Sequence, residues 1–90
     1  MKTPATKNTV YVYKEYSSKD PNTLERLEVY SYLFLARNVL KYRVEKVFNK
    51  KWDELKRDIN SESDVLTDDF VKINKDGNFL YFIIEGGSKV

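Results

Sequence analysis

From Leu24 to Ile59 the chain runs without a glycine or proline and carries most of its large apolar side chains. In the second half of this stretch Leu40, Val44, Val47, Phe48, Trp52, Leu55 and Ile59 recur on one side at helical spacing. Arg43, Lys46, Lys50 and Arg57 fall roughly opposite. The pattern predicts an amphipathic helix whose core-facing stripe centres on Phe48, Trp52 and Leu55. Asn49 is a candidate N-cap for a second helix, with Asp53 and Glu54 early in it.

Residues 21–36 admit two readings. Leu27, Val29, Leu33 and Leu35 alternate with Glu28, Tyr30, Tyr32 and Phe34, which suits a strand over 26–35. Asp20-Pro21 also reads as a helix start, with a side-chain acceptor at N-cap and a ring without an N–H at N1. Charge placement favours the helix. Asp20, Glu25 and Glu28 would complement the positive end of its dipole and Lys56 and Arg57 the negative end. A helix beginning only at Ala36 would open on Arg37, Lys41 and Arg43, the wrong sign. The favoured expectation is therefore one long or broken helix from about Pro21 to Ile59.

The flanks read as sheet. Residues 9–16, TVYVYKEY, alternate β-branched and aromatic side chains, with Val10 and Val12 on one face and Tyr11 and Tyr13 on the other. Residues 70–75 and 79–85 flank Asp76-Gly77-Asn78, a strong short-range hairpin signal. Phe79 to Ile84 is apolar on both faces, so it is expected as a central strand with residues 9–16 on its free edge. Residues 1–8 read as a loose arm, 60–69 as an acidic loop and 86–90 as a tail. The expected fold is a single α+β domain over residues 1–90, ordered β-α(-α)-β-β. Its three-stranded antiparallel sheet packs on the helix.

Composition narrows the chemistry. The hydrophobic and charged fractions, 41% and 33%, are those of a globular domain. With no cysteine and no histidine, the chain lacks a thiol nucleophile, the commonest general base and the commonest transition-metal ligand. The only adjacent glycines, Gly86 and Gly87, make no phosphate loop. Residues 72–83 imitate EF-hand offsets but put Lys72 and Ile83 where carboxylates belong, so calcium is rejected. The pair Asp68–Asp69 reads as a solvated acidic loop, not a metal site. No enzyme activity, metal or cofactor is expected. MKTPATKN has no apolar core of a signal peptide, and the longest near-apolar run, Val29 to Ala36, is too short to span a membrane. The expected location is cytoplasmic. Gly, Ala, Arg and Pro together number only eleven, while Lys, Asn, Ile, Phe and Tyr abound. That codon bias suggests an AT-rich source, as in phages and mobile elements.

Two surfaces remain as candidates. Tyr32, Leu35, Val39 and Tyr42, spaced three, four and three apart, make a second apolar stripe turned away from Leu33, Leu40 and Val44. Burying four such side chains contributes roughly 6–10 kcal/mol gross. The stripe is either covered by the N-terminal arm or first strand, or it binds a protein partner or a second copy in a homodimer. The alternative is nucleic acid on the basic face of Arg43, Lys46, Lys50 and Arg57, with Tyr11, Tyr13 and Tyr81 as stacking surfaces. Asp53, Glu54 and Asp58 interrupt that row. The favoured reading is a small non-enzymatic interaction protein, such as an accessory factor or inhibitor from a phage or mobile element.

Overall fold

The computed structural model describes residues 9–59 and 63–88. The elements follow as β1 (Thr9–Ser17), β2 (Arg26–Tyr30), α1 (Leu33–Phe48), α2 (Trp52–Asp58), β3 (Val65–Leu66), β4 (Phe70–Lys75) and β5 (Asn78–Ser88). The class is α+β. All strands lie in one antiparallel sheet of order β2-β1-β5-β4-β3.

The hairpin and the central strand form where the sequence placed them. Asp76 and Gly77 both have positive φ, 55° and 89°. That pairing makes a two-residue turn whose twist matches its strands. β5 lies in the middle of the sheet, with β1 on one side and β4 on the other. It also runs further than expected. Thr9, Val10 and Tyr11 pair with Ser88, Gly87 and Gly86, so the first residues of the expected tail belong to the strand. The expected arm, residues 1–8, lies outside the described residues, as do 60–62 and 89–90.

Two corrections concern the sheet and the helix. The sheet has five strands instead of three, because residues 26–30 pair with β1 and Val65–Leu66 pairs with β4. The long helix from Pro21 is overturned: α1 starts at Leu33. Asp20-Pro21 is spent on a turn, in which the Asp20 N–H donates to the Ser17 carbonyl and the Thr23 N–H to the Asp20 carbonyl. The charge argument failed for a non-local reason. α1 has no acid in its first turn and no side-chain cap, but its two arginines find carboxylates distant in sequence, one on β1 and one just before β4. Arg37 donates to Asp69 at 2.7 and 3.1 Å, and Arg43 to Glu15 at 2.7 and 3.2 Å.

Both helices cover one face of the sheet. By strand alternation Tyr13 and Glu15 on β1, Val71 and Ile73 on β4, and Phe82 on β5 point to that face. They meet Leu40, Val44, Trp52 and Leu55 in the core. Of the stripe read from sequence, Val47, Phe48 and Ile59 pack around this centre instead of inside it. Asn49 ends α1 in the left-handed conformation, φ 54°, and does not open α2. The first N–H of α2, on Trp52, instead donates to the Glu45 carboxylate of α1 at 2.7 Å. Among the described residues no helix covers the other sheet face. There Tyr16 stacks on its cross-strand neighbour Tyr81 with centroids 4.7 Å apart, beside a Lys14–Glu85 ion pair. Among the described residues no helix is long and apolar enough to cross a membrane.

Candidate contact face

Where the strand pattern hands over to the helix, apolar side chains are left facing solvent. Leu27 and Val29 point to the helix-free side of β2, 55% and 60% exposed. Tyr32, in extended conformation at the N-cap of α1, and Phe34 in its first turn are both 61% exposed, with ring centroids 5.7 Å apart. Leu24 and Leu35 add to the same segment. Tyr42 stands two turns further along α1, with the Lys46 ammonium 5.6 Å from its ring.

Of the sequence-derived stripe, Tyr32, Leu35 and Tyr42 are thus exposed. Val39 is half-buried and packs against the core, so the stripe is broken in the middle. Phe34, Leu27 and Val29 were missed as surface residues. Their signal was the density of large apolar positions between Leu24 and Leu35, more than one face of one short element can bury. The described part of β1 lies under α1 on the sheet and does not wrap over this face.

β2 anchors the face from beneath. Arg26, Glu28 and Tyr30 share its helix side, where the Glu28 carboxylate accepts from Tyr30 Oη and from Arg26 Nη1, each at 2.7 Å. The hydrogen bond from Tyr30, with the Arg26 charge beside it, holds the Glu28 carboxyl below the usual range. The same hydrogen bond pushes the Tyr30 phenol up to about 12. Next to this trio, buried Glu15 accepts from Tyr13 Oη at 2.5 Å and takes the Arg43 fork. Burial, then Glu15 itself, pushes the Tyr13 phenol up. With Arg26 Nε 3.6 Å from Glu15, these groups tie β2, β1 and α1 together, and all four carboxylate oxygens of Glu15 and Glu28 accept a hydrogen bond.

The basic row does not assemble as one surface. Arg43 turns inward to Glu15, and Lys50 is held by Asp58 at 2.8 Å. Lys46 sits over Tyr42, leaving Arg57 exposed on α2. Of the stacking candidates, Tyr13 is fully buried and Tyr11 half-buried on the helix side. Tyr81 lies on the opposite face, against Tyr16. A surface groove of about 360 Å³ between the end of α1 and α2 is lined by Tyr42, Glu45, Lys46 and Glu54 among others, with charges of both signs. In the acidic loop, Asp69 is engaged by Arg37, which holds its carboxyl below the usual range. Among the described residues no three acidic side chains converge as a metal site would need. Comparison with family models, curated proteins and solved structures finds no match to this chain.

Proposed function

We propose that this chain is a non-enzymatic protein-interaction module. Its contact face is the apolar surface formed by the exposed side of β2 and the first turns of α1. The observation that carries this reading is the clustering of Leu24, Leu27, Val29, Tyr32, Phe34 and Leu35, all exposed and all from one strand-to-helix junction. Scattered apolar residues on a surface are ordinary; six large exposed ones within twelve consecutive residues, two of them paired aromatic rings, are a mark of binding. The ion pairs beneath it fix the strand and helix that present it, so the face is rigid before any partner arrives. A protein partner suits it better than nucleic acid, because Arg43 and Lys50 of the basic row are already engaged by carboxylates. The amino-acid bias toward AT-rich codons fits an accessory factor or inhibitor of a phage or mobile element.

The test is site-specific crosslinking. Benzoylphenylalanine at position 34 should give discrete protein adducts in a lysate of the source organism, and at exposed Lys56 on α2 none. Tyr32→Glu with Leu35→Glu should abolish the position-34 adducts while leaving the circular dichroism spectrum unchanged. Equal labelling from both positions, or adducts insensitive to the double substitution, would sink the reading.

A further inference from the structure

We infer that the partner at this face is a second copy of the chain, joined through β2 to β2 in antiparallel register about Leu27. The inference rests on the interaction reading above and names its partner. β2 is the outermost strand of the sheet, so the backbone groups along its outer side have no strand partner among the described residues. Exposed edges of this kind are commonly protected by lysine, proline or a bulge. Arg26–Tyr30 contains neither residue and pairs with β1 without interruption, and its two charges, Arg26 and Glu28, are paired with each other.

The sequence of the strand is complementary to itself. In an antiparallel pair with a two-fold axis at Leu27, Arg26 of each copy stands directly opposite Glu28 of the other, giving two opposite-charge pairs on the helix side. Leu27 then meets Leu27 on the helix-free side, where it is 55% exposed in the single chain. The strand begins at Arg26 and Glu25 lies at a bend, so the paired segment is Arg26–Glu28 of each copy. Shifting the axis to Glu28 would set the two Glu28 carboxylates against each other, a destabilising arrangement. The guanidinium of Arg26 can serve both its own Glu28 and that of the second copy, since it has five donors.

Residues facing each other in antiparallel strands point to the same side, so the two copies carry their helices on one face of a continuous ten-stranded sheet. Arg37 reaches Asp69 on the β4 side. Leu35 and Tyr42 lie roughly opposite Arg37 around α1, hence on the β2 side, and in the pair these flanks turn toward each other across the axis. The exposed aliphatic side chains of β2 and the outer stripe of α1 thereby become one interface.

Sedimentation of the purified protein over micromolar to several hundred micromolar concentrations tests the inference with Leu27→Lys and Leu27→Glu. Leu27 is exposed and outside the ion-pair network, so both variants should keep the wild-type spectrum and thermal midpoint. The wild type is expected at twice the monomer mass. Each variant alone should be monomeric, because like charges meet on the axis. An equimolar mixture of the two should regain the doubled mass. A monomeric wild type, variants that remain dimeric, or a mixture that stays monomeric would each overturn the pairing. Foreign-protein adducts from position 34 alongside a monomeric wild type would sink self-pairing alone. Absence of any adduct would sink the interaction reading with it.

Discussion

Arg43 of α1 grips Glu15 of β1 with two hydrogen bonds, from Nε at 2.7 Å and from Nη2 at 3.2 Å, and the carboxylate is almost fully buried. The helix is thereby keyed to the sheet at one angle and height, which apolar packing alone would leave looser. Glu15→Leu strands the guanidinium and the Tyr13 hydroxyl beneath the helix. The expected loss is about 3 kcal/mol, in the range for breaking one side of a buried pair. A urea titration of the variant measures it, and a loss below the scatter of surface substitutions would count against the network.

The phenol of Tyr30 gives a prediction at alkaline pH. Its folded value, pushed up to about 12, lies above the unfolded value of 10.0. Between these values the unfolded chain has released the proton and the folded chain has kept it. The stability it contributes is therefore complete below pH 10 and lost as pH rises toward 12. Absorbance titration of tyrosinate should show a late step that Tyr30→Phe deletes. The slope of stability against pH in that window should flatten in the variant.

Arg37 and Asp69 predict a shift at the acid end. The Asp69 carboxyl is held down by Arg37, so its contribution is present above the ordinary carboxylate range and disappears as pH falls through the lowered folded value. Asp69→Asn should melt below wild type at pH 7, and the two curves should converge as the buffer is taken well below the ordinary carboxylate range. The pair is largely solvent-exposed, so the difference is expected to shrink in high salt as well.

The two sides of α1 predict opposite outcomes for similar truncations. Leu40 is fully buried between helix and sheet, and Leu40→Ala should cost about 2–5 kcal/mol through lost contacts and the cavity left behind. Phe34 is 61% exposed one and a half turns earlier. Phe34→Ala should leave the chemical-denaturation midpoint nearly unchanged while weakening whatever association the protein shows. Stability and association measured side by side on both variants separate packing from contact.

Much of this was legible wherever one periodicity ruled. The alternation of TVYVYKEY, the Asp-Gly turn and the helical spacing from Leu40 to Leu55 each formed, the last as two helices broken between Phe48 and Trp52. The junction at 26–35 did not have that property, because Leu27 and Val29 alternate while the surrounding Leu, Glu and Arg content leans helical. Arg37 and Arg43 misled for a clearer reason: the carboxylates that neutralise them are 32 and 28 residues distant in sequence, outside any local window. β3, two residues long, is below the length at which a pattern exists. Tyr32, Leu35 and Tyr42 were legible as a surface because a small core cannot use two faces of one helix. Val39 was not, since its burial depends on how α1 is rotated over the sheet.

The pairing of β1 with β5 carries a consequence for how the chain is made. Thr9 meets Ser88 and Ser17 meets Leu80, so the central ladder joins segments separated by everything between them. During synthesis β1 and β2 can form their hairpin early, but the middle of the sheet stays open until residues 78–88 have left the ribosome. Until then Tyr13 and its neighbours on the future inner face have no Phe82 to rest against. The nascent protein is thus exposed on the side that the finished one hides, and its vulnerable interval lasts until β5 has been made.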